Sequence, residues 1–279
     1  MIRIVSFLML LCVITCSAQH FSSRTFIDTR IVNGQSVETN ASGIAKFIIS
    51  HRFGRLNTGA YELFGLDEST IRIGLDYGVT DFLTVGLGRS SFQKTYDGFA
   101  KVRWLRQSHG ERQFPFTVSS FHSTAINTLR DPFPQKETEF SERVAYVHQL
   151  LIARKVNDDL SIQLMPSFVH RNLVIGEDSE HDILSLGGAV RYQVAKHWAL
   201  SAEYYHDVLD RLDPNRFNPI ALGVEIETRG HVFQFQFGNA RGMIENYFIA
   251  ETAGDVTAGD IHFGFNITRD FKLRGRKYQ

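Results

Sequence analysis

The chain has 279 residues, and its 30 Lys and Arg balance its 30 Asp and Glu, so charge gives no reason to expect nucleic acid as a partner. With 43% hydrophobic residues it is not a disordered chain, and 22 Gly against 6 Pro suits strands joined by tight turns. Beyond the N-terminus no apolar run is long enough for a spanning helix. The mean hydropathy of −0.15 is compatible with a membrane barrel, which hides its apolar surface in alternation.

The first eighteen residues read as a secretory signal, with Arg3 at the charged start, an apolar core over residues 5–14 and small Ser17-Ala18 at the cleavage site. Cleavage there is favoured over lipidation at Cys16, which Thr15 precedes poorly. Both cysteines, Cys12 and Cys16, leave with the signal, so disulfides, thiolate metal sites and Cys nucleophiles are excluded from the mature chain. Residues 19–42 follow as a polar, irregular segment on the periplasmic side, to be read as a leader, a lid or a plug in a lumen.

The first strand is expected at 44–53, with Lys46, Ser50 and Arg52 on its polar face. The clearest hairpin is 69–92, where Ile71, Ile73, Leu75 and Tyr77 alternate with Arg72, Gly74, Asp76 and Gly78, and Leu83, Val85 and Leu87 with Thr84, Gly86 and Gly88. These strands are nearly twice the usual length in a soluble domain, but suit a tilted crossing of an outer membrane. Further strands are expected at 99–106, 114–123, 142–156, 160–171, 183–194, 198–206 and 220–228, then around Phe233, Phe235 and Phe237, and at 261–271. The strand at 142–156 is apolar on both parities, which leaves its facing open.

Tight turns join strands 2–3, 6–7, 8–9 and 10–11, with 4–5 only slightly longer, whereas long loops join 1–2, 5–6, 7–8, 9–10 and 11–12; only 3–4 is short where a long loop is due. A soluble sandwich has no reason to sort them so, and an outer-membrane barrel does. The expected fold is therefore all-β: a single transmembrane antiparallel up-and-down barrel of about twelve strands, with short periplasmic turns and long extracellular loops. The expected organisation is signal peptide 1–18, periplasmic N-terminal segment 19–42, barrel 43–271 and basic periplasmic tail 272–279. The expected location is the outer membrane of a bacterial cell.

Three segments carry a resemblance. They are Thr29-Arg30-Ile31-Val32-Asn33-Gly34-Gln35-Ser36-Val37-Glu38, Ile49-Ser50-His51-Arg52-Phe53-Gly54-Arg55, and Leu63-Phe64-Gly65-Leu66-Asp67 running on through Arg72-Ile73-Gly74 and Tyr77-Gly78-Val79-Thr80-Asp81 to Gly88-Arg89-Ser90 and Tyr96-Asp97-Gly98-Phe99. Over this first third the mature chain resembles a family of bacterial outer-membrane β-barrel proteins filed as a domain of unknown function. The resemblance implies outer-membrane placement and one barrel, and brings no activity.

On the expected inward faces lie Lys46, Arg52, Arg72, Asp76, Lys101, Arg103, Arg171, Arg191, Glu203, Glu225, Glu227, Gln234 and Gln236. Such a set either fills a narrow barrel as an ion-paired network or forms a basic stripe that favours anionic solutes. Phe82, Trp104, Trp198, Tyr204 and Tyr205 lie near strand ends as girdle residues. Phe64, Phe133 and Phe248 sit in long loops, either facing a partner or packing inward.

Ser50-His51, His122-Ser123 and His148 are the candidates for a lipid hydrolase, but none has a recognisable nucleophile context, so no enzyme is expected. No HExxH pattern or tight His pair points to a metal, and no cofactor is expected. The leading reading is a small outer-membrane channel or solute conduit. The alternative is a closed barrel anchoring a periplasmic or surface protein, and the remote one a lipid hydrolase. The expected partners are outer-membrane lipid, small solutes in the lumen and such a protein.

Overall fold

The computed structural model describes residues 20–110, 113–130, 138–174, 179–213 and 215–273, and in it twelve antiparallel strands close into one barrel. They are β1 (Ile44–Arg55), β2 (Ser69–Gly78), β3 (Leu83–Ser90), β4 (Tyr96–Leu105), β5 (Thr117–Ile126) and β6 (Val144–Lys155). The second half comprises β7 (Leu160–Arg171), β8 (Asp182–Ala195), β9 (Trp198–Asp207), β10 (Ile220–Glu227), β11 (Val232–Gly238) and β12 (His262–Lys272). Strands pair with their neighbours in sequence, and β12 pairs back onto β1, so no edge is left open. The connections β2–β3, β6–β7, β8–β9 and β10–β11 gather at one end, the turn end, where β1 also starts and β12 finishes. The segments after β1, β5, β7, β9 and β11 form the loop end. The signal at 1–18, Phe133 and most of the basic tail lie outside the described residues.

Alternation dictates the two faces. On β2, Arg72, Gly74, Asp76 and Gly78 are buried, while Ile71, Ile73 and Leu75 are exposed to the bilayer side. Strand ends are less determined by period. The fourth strand starts at Tyr96 rather than 99, and the fifth at Thr117 rather than 114. Ser108 and Phe114 form a local bridge in the β4–β5 connection, so β5 pairs with β4 only from Val118 onward.

Tyr205 does not belong to the aromatic girdle. Phe82, Trp104, Trp198 and Tyr204 face outward, but Tyr205 is 1% exposed, because successive side chains on a strand point to opposite faces. Its ring packs against Phe248 inside the barrel, with centroids 5.3 Å apart.

The lumen is full. Residues 25–38, all but Ile27, are buried inside the wall, and so is the whole of a short helix α1 (Glu245–Ala250) from the β11–β12 loop. Phe26, Ile31, Val32 and Val37 from the N-terminal segment meet Phe248 and Ile249 of α1 in one apolar cluster. The wall completes it with Phe99, Phe121, Val147, Leu151, Met165, Val169, Ile183 and Tyr205. This explains β6: Val147 and Leu151 face an apolar lumen core while Tyr146 and Leu150 face outward.

An outward charge should be costly: Leu75→Arg is expected to cost about 2–4 kcal/mol and reduce the assembled barrel, read as the folded fraction after extraction. From sequence, Phe235→Arg should behave likewise, with Gly74→Ser and Gln234→Arg milder. The filled lumen removes that margin for the last two. A Cβ on Gly74 would sit 2.6 Å from Arg72 Nη1, and Gln234 is wedged against the N-terminal segment. The tolerant control is Glu227→Gln, because Glu227 is exposed at the last residue of β10.

Candidate functional site: the filled lumen

The N-terminal segment is a hairpin inserted from the turn end. Ser22 N donates to Gln107 O at 3.0 Å and Arg106 Nη2 to Ser22 O at 2.9 Å, which fixes its incoming end beside the β4–β5 connection. Its outgoing end is held by Asp81 of the β2–β3 turn, which accepts from Thr39 Oγ1 at 2.9 Å and from Ser42 N at 3.0 Å. Between these ends the chain folds back on itself: Arg30 and Gln35 form an antiparallel bridge, and Ile31 N donates to Gly34 O at 2.9 Å.

Two buried charges clamp the tip in opposite senses. Glu203 of β9 accepts from three successive backbone amides, Val32 N at 3.3 Å, Asn33 N at 2.8 Å and Gly34 N at 3.0 Å, a nest around a carboxylate. Lys101 of β4 donates to the carbonyls of Thr29 at 3.1 Å and Ser36 at 3.0 Å, and to Gln35 Oε1 at 3.0 Å. Gly34 is required here, because a Cβ would overlap the Tyr205 hydroxyl.

Other wall groups satisfy the rest of the hairpin backbone. Gln234 Nε2 donates to Ile31 O at 3.0 Å, Asn266 Nδ2 to Val32 O at 2.9 Å, Gln163 Nε2 to Gln35 O at 2.7 Å and Ser119 Oγ to Val37 O at 2.8 Å. Donors thus come from opposite sides of the barrel, as burial of a polar segment demands.

The charged residues expected on inward faces occupy several settings. Lys46 pairs with Asp28 of the hairpin at 2.8 Å and with Asp270 at 2.7 Å. Arg52 donates to Asn33 Oδ1 at 2.6 Å and meets the Gln236 carboxamide. Arg72 makes a two-point contact with Asp97, Nε to Oδ1 at 2.9 Å, lying across Gly74 and Gly88, which leave it room. Arg103 lies 3.6 Å from Glu38 of the hairpin. Arg191 pairs with Glu225 at 2.7 Å, and Ser201 donates to the other oxygen of Glu225. Asp76 is buried, and among the described residues neither of its carboxylate oxygens has a hydrogen-bond partner. Arg171 lies at the loop end near Asp213 and Glu251, and Glu227 is solvated at the rim.

Sequence reasoning missed α1, for which the six residues Glu245–Ala250 give too little helical periodicity to stand out. Glu245 is where the two fillers meet, accepting from Arg30 Nη1 at 3.2 Å and from Gln35 Nε2 at 3.1 Å. Of the loop aromatics, Phe248 packs inward and Phe64 stays exposed. Above α1 lie two cavities at the loop end, one of about 390 Å³ lined in part by Arg143, Arg171 and Asp213, the other of about 400 Å³ lined in part by Arg55, Glu68 and Arg241. Arg216, Tyr247 and Glu251 border both. Burial raises the Glu251 carboxyl above its usual range, against the lowering pull of Arg171 and Arg216.

The Ser-His neighbours do not form dyads. Ser50 is buried on the lumen side while His51 stacks on Phe265 outside, with centroids 5.1 Å apart, and the pleat separates His122 from Ser123 in the same way. Among the described residues no three His, Cys, Asp or Glu side chains gather as a metal-binding group.

The profile of a family described as a membrane bound beta barrel domain (DUF5777) matches residues 26–271, taking in the hairpin, the barrel and α1 together. The chain belongs to this family. Its fold is similar to that of the NanC porin, with a TM-score of 0.50 and 10% identity over 82% of this chain and 100% of that one. The KdgM porin aligns at TM-score 0.46 and 10% identity, over 82% of this chain and 99% of that one. The outer membrane phospholipase A from Escherichia coli aligns at 0.45 and 11%, over 82% and 91% respectively. These likenesses are of fold. No curated protein matches the sequence.

Proposed function

We propose that this chain is an outer-membrane conduit held shut at rest by its N-terminal hairpin, which opens when the hairpin is drawn out on the periplasmic side. The observation that carries this reading is that the hairpin enters and leaves the lumen at the same end, beside Gln107 and Asp81. A segment tethered in that way can leave without breaking any strand pairing of the barrel, since the wall closes its own backbone hydrogen bonds. The wall it would uncover carries Lys46, Arg52, Arg72, Lys101, Arg103, Arg171 and Arg191 against Asp76, Asp97, Glu203, Asp207 and Glu225, a small basic excess that favours anionic solutes.

Burial of Phe26, Ile31, Val32 and Val37, each worth about 1.5–3 kcal/mol, opposes withdrawal by roughly 6–12 kcal/mol as an upper estimate. At about 1.4 kcal/mol per factor of ten, a cost of about 6 kcal/mol corresponds to spontaneous opening of roughly one part in ten thousand. A periplasmic protein pulling on the incoming end is therefore part of the reading. The same apolar cluster favours a second one, a permanently closed barrel that anchors a partner.

Conductance in a planar bilayer separates them. The full chain should be silent, removal of residues 21–39 should give openings, and also shortening the 242–251 loop should enlarge them with a preference for anions. If the doubly shortened barrel is folded and still silent, the conduit reading fails and the anchor stands.

A further inference from the structure

Most of the outer wall is apolar, with Leu184 and Leu186 on β8, Leu200 on β9, Leu222 on β10 and Phe235 on β11 exposed to the bilayer. Over β4, β5 and β6 the character changes. The outward positions there include Gly98, Ala100, His122, Thr124, His148 and Ser120, the last covered by Trp104, whose Nε1 donates to its hydroxyl at 2.9 Å. Tyr96 and Trp104 mark the two ends of the outward row on β4, and Ala100 lies midway between them. Ala100 is in register with His122, and His122 with His148. The two imidazoles therefore sit in the hydrocarbon belt rather than at its polar borders.

His122 Nδ1 and His148 Nδ1 are 2.8 Å apart, so between neutral rings one donates and the other accepts. The donating ring is left with a bare Nε2, an acceptor, and the accepting ring with an Nε2–H, a donor. Neither Nε2 has a hydrogen-bond partner among the described residues. Lipid chains offer neither group, and unsatisfied polar atoms are costly in hydrocarbon.

We infer that the outer face of β4–β6 is the interface of a homodimer in the membrane, with the His122–His148 pairs of two copies hydrogen-bonded across a two-fold axis. A second copy presents the same donor and acceptor in reversed order, so two hydrogen bonds satisfy both groups of each copy, which is the self-complementarity a two-fold interface requires. None of the six patch residues carries a fixed charge, so two copies approach without repulsion. The relief also suits close approach. A groove of about 460 Å³ runs over Gly98 and Ala100 between Leu87 and His122, and Leu87, 72% exposed, stands beside it as a ridge.

The test uses the full chain in its membrane, with Cys12→Ser and Cys16→Ser so that an introduced thiol is the sole one. With a short bis-maleimide, Thr124→Cys should give a crosslinked species of twice the chain mass, and Leu222→Cys on the far wall should not. Adding His122→Leu and His148→Leu should abolish that species while leaving a protease-resistant barrel, since leucine suits a lipid-facing site. Equal crosslinking at both positions, a product containing a different protein, or a dimer undiminished by the two leucines would each overturn the inference.

Discussion

Asp97→Ala should destabilise the barrel by about 3–5 kcal/mol, because it leaves the buried Arg72 guanidinium without its hydrogen-bonded counter-charge. Arg72 is fully buried and its two-point contact is with Asp97 alone, while Asp76, four residues along the strand on the same face, makes no hydrogen bond to it. Water cannot take the place of the carboxylate easily, since Arg72 and Asp97 are both buried. Removing both charges is a different experiment: Arg72→Met with Asp97→Leu takes away both members of the pair and should recover much of the loss. Urea unfolding of the detergent-solubilised barrel measures the set. A single variant as stable as the parent would mean that the pair is solvated and the lumen wetter than described.

Glu203→Ala should release the tip of the hairpin. Three backbone amides lose their acceptor in a site shut off from solvent, and each costs about 1–3 kcal/mol when left unsatisfied. The sum is comparable to the apolar contact that keeps the hairpin in place, so the balance shifts toward withdrawal. Arg30 is 4% exposed at the tip and should resist trypsin in the parent. In Glu203→Ala it should be cut, with the cut mapped by mass spectrometry and the barrel intact. Glu203→Gln keeps one carbonyl oxygen and should lie between the two. If Arg30 in Glu203→Ala is as protected as in the parent, Lys101 and the apolar cluster hold the hairpin without the carboxylate.

The sequence by itself determined the wall. Alternation of apolar and polar side chains sets which face of each strand meets lipid, and the sorting of short turns from long loops sets the up-and-down order; both are local properties of the chain. The inward identity of Arg72 or Gln234 follows from the same period. What fills the wall was decided by tertiary structure. Thr29 to Glu38 carries no period that marks it as buried, and its backbone becomes tolerable inside only because Glu203, Lys101, Gln163, Gln234 and Asn266 converge on it from distant strands. Glu245 meets Arg30 across 215 positions of sequence, a separation over which no spacing rule operates. Tyr205 and the two apolar faces of β6 show the same limit: an inward apolar residue signals a lumen core only once its partners, Phe26, Val37 and Phe248, have been brought to it by the closing of the barrel.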